Sequence, residues 1–330
     1  MHIIILGTGA MGSLFAARLH HLVDVTMVGT WSAQLAAVQR HGLMLVHPDG
    51  RQTNHRFTVS REVQQCDPAE IVFVLVKSWQ TERAAQQAAH LLTADGIALT
   101  LQNGLGNYKT LVDAVGPSRA TLGVTSEGAT MIAPGTVRHA GHGQTHLVVD
   151  SVRERRIGPI LKILRQAGFE VGIVAEAQSL QWGKLAVNAG INPLTALLQV
   201  PNGFLADNES AREIMEQTAE EAATVADALG INLPYPSASQ RALEVALATA
   251  TNRSSMAQDL ARGAPTEIDA ICGAIVQHGS GVMIPTPFNQ ALLHLVRTAV
   301  AGKPWQAELP TVAADVAERL QVLIHQRQQS

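Results

Sequence analysis

The sequence predicts an α/β fold over residues 1–175 followed by an all-α fold over residues 176–330. Three features predict it. Short, β-branched apolar runs alternate with helically spaced stretches as far as Val174. The first of those runs leads directly into a glycine-rich turn and a helix. From Glu176 onward strand-like runs stop, and long Ala-, Leu- and Glu-rich stretches with helical spacing replace them. A chain of 330 residues is, as a prior, two domains long.

Composition narrows the function classes. The chain is 46% hydrophobic and 15% charged, which supplies real cores and excludes a disordered chain. A net charge of -3 gives no electrostatic case for nucleic acid or an anionic membrane as partner. The 2 cysteines, Cys66 and Cys272, are far apart and sit in no metal-type spacing, which fits a reducing compartment. The N-terminus carries no basic leader, and the apolar run Ile71–Val76 is too short to cross a bilayer. A cytoplasmic protein without membrane contact is expected.

His2–Leu6 reads as a buried strand. It runs into Gly7-Thr8-Gly9-Ala10-Met11-Gly12, then a helix from Ser13, then a second strand, Val23–Gly29. In that setting each glycine of G-x-G-x-x-G has a task. Gly7 makes the tight turn, Gly9 lets a pyrophosphate approach the backbone, and Gly12 lets the helix close on the strand. The pyrophosphate would rest on the helix N-terminus, where unpaired N–H groups favour an anion. The first half is therefore expected to be a Rossmann-type dinucleotide-binding domain.

The end of the second strand commonly selects the cofactor. It reads Val28-Gly29-Thr30-Trp31-Ser32, with no acid to grip a ribose hydroxyl and no arginine for a 2′-phosphate. Nothing there repels NADPH, and the Thr30 and Ser32 hydroxyls could donate to its phosphate. Leu43–His47 and Phe57–Val59 read as a small hairpin around Pro48-Asp49-Gly50. Glu70–Lys77 reads as a strand, with Ser78 as N-cap of a helix from Trp79 to Leu92. Lys77 then lies at a strand C-terminus, where such sheets hold their ligand. Ile97–Leu101 and Thr121–Thr125 are further strands, the former ending on Gln102-Asn103-Gly104-Leu105-Gly106. Gly135–His139 and Thr145–Val149 look like strands paired with each other. The histidines between His139 and His146 suggest no metal site, because no carboxylate or cysteine joins them in sequence. A helix, Arg156–Gly168, and a strand, Glu170–Val174, close this half.

In the second half, Lys184, Asn188 and Asn192 follow at i, i+4 and i+8 of an apolar helical stretch. At about 100° per residue they share one face. One cation and two carboxamides in line suit a small polar ligand; the plain alternative is a half-exposed helix with a snorkelling lysine. Further helices are expected over Ser210–Leu229, Ala238–Ala250 and Glu267–His278. Asn252-Arg253-Ser254-Ser255 is a polar cluster with a serine fit to cap a helix, and Glu267 could be a first-turn acid. The tail Gln326–Ser330 is polar.

Taken in order, these segments resemble the ketopantoate reductases (2-dehydropantoate 2-reductases). The match runs through Gly7–Gly12, Val76-Lys77-Ser78-Trp79-Gln80-Thr81, Gln102–Gly106 and Trp182–Asn188. It continues through Ile191-Asn192-Pro193-Leu194-Thr195-Ala196, Ser254-Ser255-Met256 and Thr266-Glu267-Ile268-Asp269 with Gly273. The resemblance implies NADPH-dependent reduction of 2-dehydropantoate to pantoate in a cleft between the two domains. Under it Lys184 is the catalytic acid and Glu267 lies beside it and the nicotinamide ribose. Asn188, Asn192, Asn202, Asn252, Arg253, Ser254 and Ser255 hold substrate. Lys77, Asn103 and Ala129 touch cofactor, together with Gly7, Thr8, Gly9, Ala10, Met11, Gly12 and Thr30. The departure is at Thr30-Trp31, where many members carry arginine. A reductase of another small 2-oxo acid, or a dinucleotide sensor with a dead site, are the alternatives; the apolar helical half could support a homodimer.

Overall fold

The computed structural model describes residues 1–149, 154–302 and 318–322; the predicted polar tail lies outside them. The chain divides into two compact units. Met1–Gln102 with Gly106–Ala177 form the first, and Asn103–Leu105 join the chain from Gln178 onward in the second.

The first unit is a doubly wound sheet. Its strands are β1 (His2–Leu6), β2 (Asp24–Val28), β3 (Leu43–Val46), β4 (Gln52–His55), β5 (Thr58–Ser60), β6 (Ala69–Val74), β7 (Leu92–Thr100), β8 (Ala120–Thr125), β9 (Gly128–Ala133), β10 (Thr136–Gly141), β11 (Thr145–Val148) and β12 (Val171–Val174). Its helices are α1 (Ala10–Leu19), α2 (Ser32–His41), α3 (Thr81–Leu91), α4 (Asn107–Val115) and α5 (Glu154–Gln166). Eight strands pair in the order β12-β11-β8-β7-β6-β1-β2-β5. All those pairs are parallel except β11 with β8. Residues of β1 and β6 are buried on both faces, which is why these strands read as unbroken apolar runs. Leu14, Phe15, Ile160 and Leu164, from α1 and α5, pack with Ile3, Ile5, Ile71 and Phe73 in one cluster. Ala84, Ala88, Leu91 and Leu111, from α3 and α4, pack with Ile4, Leu6, Val72 and Val74 in another.

Strands β4-β3-β10-β9 form a second, smaller sheet. Two sequence expectations fail here. Phe57–Val59 does not close a hairpin on Leu43–His47; β4 does, and β5 instead leaves to pair in parallel with β2. Gly135–His139 and Thr145–Val149 do not pair with each other, because β10 joins β3 and β9 while β11 joins β8 and β12. Strand β9 supplies the partner that the pattern did not reveal. The expected helix after Lys77 also differs. Ser78–Gln80 is a 3₁₀ turn with no side-chain cap, and α3 begins at Thr81.

The regular elements among the second unit's described residues are all helices. They include α6 (Gln178–Leu198), α7 (Phe204–Asp207), α8 (Glu209–Ala228), α9 (Ala238–Ala248), α10 (Ser255–Ala261), α11 (Ala274–Gly281) and α12 (Pro287–Val300). The expected helix Glu267–His278 is instead a π-helical turn, Asp269–Gly273, leading into α11. Helix α6 packs against α8, α9, α10 and α12. It is apolar nearly all round because it is the centre of this core. Gly190 lets α8 approach, since a Cβ there would stand 2.8 Å from the Met215 carbonyl oxygen.

Candidate active site

The glycine turn behaves as its spacing predicts. Gly7 has φ +128, and its N–H donates to the Val28 carbonyl at 2.9 Å. A Cβ on Gly7 would lie 2.6 Å from the Leu75 carbonyl oxygen, and one on Gly12 would collide with the Gly7 carbonyl oxygen. Gly9 is different: a Cβ there meets nothing within 4 Å. Two glycines are thus required by the protein's own packing, while the third faces open space at the N-cap of α1, whose first N–H groups no side chain caps. That is the cradle a pyrophosphate needs. Thr8 is buried beside Gly29, Ala10 and Met11 are half-buried in the first turn, and Thr30 is exposed just past β2. Ala129 lies on β9, paired with His139.

Lys77 is half-buried, three residues past the end of β6. The neighbouring strand ends are stiffened by a residue to which sequence reasoning gave no role. Gln102 donates from Nε2 to the Val76 carbonyl and to Thr81 Oγ1, both at 2.8 Å, and Thr81 donates to Asn107 Oδ1 at 2.7 Å. A carboxamide bridging two strand C-termini fixes the rim on which Lys77 sits.

Histidines do meet a carboxylate, contrary to expectation. Glu127, His139 and His142 bring ligand-type atoms within 4.8 Å of one another, because β9 and β10 pair antiparallel. Glu127 is distant in sequence from His139, so spacing could not show it. The buried acid is already engaged: His139 Nε2 lies 2.6 Å from one oxygen and Arg18 Nη1 3.9 Å from the other. Burial lowers the Arg18 pKa and Glu127 opposes the shift, so a cation arriving here would compete with a guanidinium already in place.

In the second unit, α6 carries Lys184, Asn188 and Asn192 on one stripe. Lys184 and Asn188 are half-buried and Asn192 is 8% exposed. Burial lowers the Lys184 pKa to about 8, and the charge of Glu267 acts in the opposite direction. Glu267 is 6% exposed and sits just before the π-helical turn. Asn103-Gly104-Leu105 belongs to the same unit for a visible reason. Leu105 N–H donates to the Ala270 carbonyl at 3.0 Å, and a Cβ on Gly104, at φ +79, would lie 2.5 Å from that oxygen. The turn that holds Glu267 therefore also holds the Asn103 segment.

The remaining polar residues divide by role. Ser254 is the N-cap of α10: its Oγ accepts the Ala257 N–H at 3.0 Å and the Thr195 hydroxyl at 2.8 Å. It ties α10 to α6, and its own proton has only the Asn192 carbonyl, at 3.5 Å, within reach among the described residues. Ser255 and Asn252 are exposed, and Arg253 donates to the Gln199 side chain at 2.8 Å. The Asn202 loop is laced to the α9–α10 connection. Asn202 N–H reaches the Asn252 carbonyl at 2.9 Å, and Asn202 Nδ2 donates to Thr249 Oγ1 at 2.8 Å. Asn202 is 7% exposed, yet its Oδ1 has no donor among the described residues. A buried acceptor without a donor is costly unless a ligand or water supplies one.

Residues 3–149 match the family described as "Ketopantoate reductase PanE/ApbA", and residues 176–300 match its C-terminal counterpart. The chain belongs to the ketopantoate reductase family. Among curated relatives, it is 36% identical to a 2-dehydropantoate 2-reductase of Halobacterium salinarum, over 91% of this chain and 99% of that one. It is 33% identical to the enzyme of the same name from Vibrio cholerae, over 90% and 97%. Among solved structures, it resembles a PanE/ApbA family ketopantoate reductase from Ralstonia eutropha JMP134, with TM-score 0.83 and 29% identity over 92% of this chain and 99% of that one. It also resembles a D-mandelate dehydrogenase in ternary complex with NADH and anilino(oxo)acetate, with TM-score 0.84 and 25% identity over 92% and 99%. The family is one of nicotinamide-dinucleotide-dependent oxidoreductases. No helix among the described residues is long and apolar enough to cross a membrane.

Proposed function

We propose that this ketopantoate reductase family member reduces 2-dehydropantoate to pantoate with NADPH, with Lys184 as general acid. The observation that carries the proposal is the helix α6 stripe. It holds a desolvated lysine, kept charged by Glu267, in line with two carboxamides. The glycine cradle fits a dinucleotide, and the bound cofactor supplies the hydride. The protein's own part is placement and proton supply. Lys184 holds a proton on Nζ beside the substrate keto oxygen, stabilises the charge that develops there and hands the proton over. Glu267 orients the ammonium. Asn188 and Asn192 donate to and accept from the substrate's oxygens, and Asn202 Oδ1 accepts a substrate hydroxyl. Ser255 and Asn252 take the carboxylate, while Ser254 holds α10 in position. Curated relatives of the same name support the substrate.

NADPH over NADH is supported by the absence of an acid at Thr30, since nothing there meets a 2′-phosphate with like charge. The likeness to D-mandelate dehydrogenase with NADH favours a second reading, another 2-oxo acid and the unphosphorylated cofactor. One experiment separates them: steady-state rates with 2-dehydropantoate and a panel of 2-oxo acids, each with NADPH and NADH. The highest kcat/KM is expected for 2-dehydropantoate with NADPH. Lys184→Ala should lower kcat by at least about 10²-fold while dinucleotide still binds. A different 2-oxo acid preferred by tenfold or more, on the order of 1.4 kcal/mol, would replace the substrate assignment.

A further inference from the structure

We propose that Arg61 recognises the adenosine 2′-phosphate and so sets the choice between phosphorylated and unphosphorylated dinucleotide. This rests on the NADPH reading above. The end of β2 offers neither acid nor arginine, but the sheet shows where the basic group comes from. In a doubly wound sheet the ligand lies outside the strand C-termini, with the ribose 2′ position at the end of the second strand. Here β5 runs parallel to β2 on the sheet's outer edge, with Val28 opposite Ser60. The pairing continues one step further, as Gly29 N–H donates to the Ser60 carbonyl at 3.2 Å. The two strands therefore run out together, and Arg61 comes level with Gly29-Thr30. Adjacent strands are about 4.8 Å apart, within the span of an arginine side chain.

The backbone at Arg61 is fixed. Ser60 Oγ donates to the Glu62 carbonyl at 3.0 Å and accepts the Glu62 N–H at 3.1 Å, which ties a tight turn around Arg61. Arg61 is exposed, and no carboxylate among the described residues forms an ion pair with it. The other arginines of this region are at the wrong ends of their elements. Arg56 precedes β5, and Arg40 is in the last turn of α2. A guanidinium at the rim can bind a phosphate through two parallel N–H donors, which gives the phosphorylated cofactor its advantage.

Isothermal titration tests this without turnover, using NADPH, NADH, adenosine 2′,5′-bisphosphate and 5′-AMP. Arg61→Ala should weaken NADPH and the bisphosphate by roughly tenfold to a hundredfold, with the loss confined to the ligands that carry the 2′-phosphate. Arg61→Lys should recover only part of it, because a point charge replaces the fork. Arg40→Ala, which removes the same charge from the far end of α2, should leave the NADPH-to-NADH ratio unchanged. Arg61→Ala with an unchanged ratio, in a wild type that prefers NADPH, overturns the role of Arg61 alone. A wild type that binds NADH more tightly overturns the NADPH reading itself, and points to Glu62, the acid next on the same rim.

Discussion

Lys184 is where burial becomes chemistry. Its pKa, pulled down to about 8 by desolvation and opposed by Glu267, lies where small pH changes alter its charge. As the proposed general acid it must be protonated for reduction, and that form is the majority below about pH 8 and disappears above it. The reduction rate is therefore expected to be level through pH 7 and to fall about tenfold per unit well above pH 8. The reverse oxidation, which needs the free amine, should rise over the same interval. Rates of reduction that stay flat to pH 10 would remove Lys184 as the proton donor. The row of Lys184, Asn188 and Asn192 was legible because helical spacing alone aligns them. A serine cap of α10 was legible too, but the bond from Thr195 to Ser254 Oγ was not, since Thr195 comes from a distant helix. Nor was the orphaned Oδ1 of Asn202, which depends on a loop-to-loop pairing with Asn252 that no periodicity encodes.

At the scale of an element, the turn between β1 and α1 predicts two opposite outcomes from one kind of substitution. Gly12→Ala would drive a methyl group into the Gly7 carbonyl, so α1 must move off the sheet. A loss of roughly 1–3 kcal/mol in stability is expected, read as a lowered melting temperature. Gly9→Ala meets no protein atom, so it should melt near the wild-type temperature. It should bind dinucleotide at least about tenfold more weakly, because the methyl occupies the pyrophosphate's approach. Equal melting temperatures for the two variants would contradict this division. The turn itself was readable because its chemistry is local. The hairpin after Pro48 shows the opposite: β4 is polar and half-exposed, so local sequence favours the more apolar Phe57–Val59 as the partner of β3. Pairing was decided by the vacant edge of β2, which local sequence does not display.

Across the whole molecule, His55 is one imidazole through which stability should depend on pH. His55 Nδ1 lies 2.9 Å from His20 Nε2, and its Nε2 lies 2.7 Å from Thr53 Oγ1. Burial first, and then the neighbouring His20, His47 and His21, lower its pKa to about 4 from an ordinary 6.5. The unfolded chain takes up this proton near pH 6.5 and the folded chain does not. The stabilisation is thus complete above about pH 6.5 and is lost as pH falls towards 4, where both forms are protonated. The ring is half-exposed, so solvent screening limits the effect to on the order of 1 kcal/mol, or about 2 °C in melting temperature. His55→Gln should remove that increment between pH 7 and pH 5; an unchanged difference would assign it elsewhere. The division into an α/β and an all-α half was legible because strand-like runs alternate with helical spacing in the first half and only helical spacing persists in the second. The second sheet was hidden because its four strands are gathered from two distant stretches of chain.

That sheet also dictates an order of events during synthesis. Strands β3 and β4 leave the ribosome early as a bare hairpin, and a two-stranded hairpin alone is marginally stable in water. Its lasting partner is β10, with Met44 beside Thr136 in a parallel pair, and the whole stretch from Arg56 to Gly135 must be translated between the hairpin and that partner. Such distant pairings close slowly, since loop entropy is lost before the contact repays it. The nascent chain can settle the β1-β2-β6 core while the hairpin waits, and the smaller sheet cannot become protected from exchange before β10 has been made.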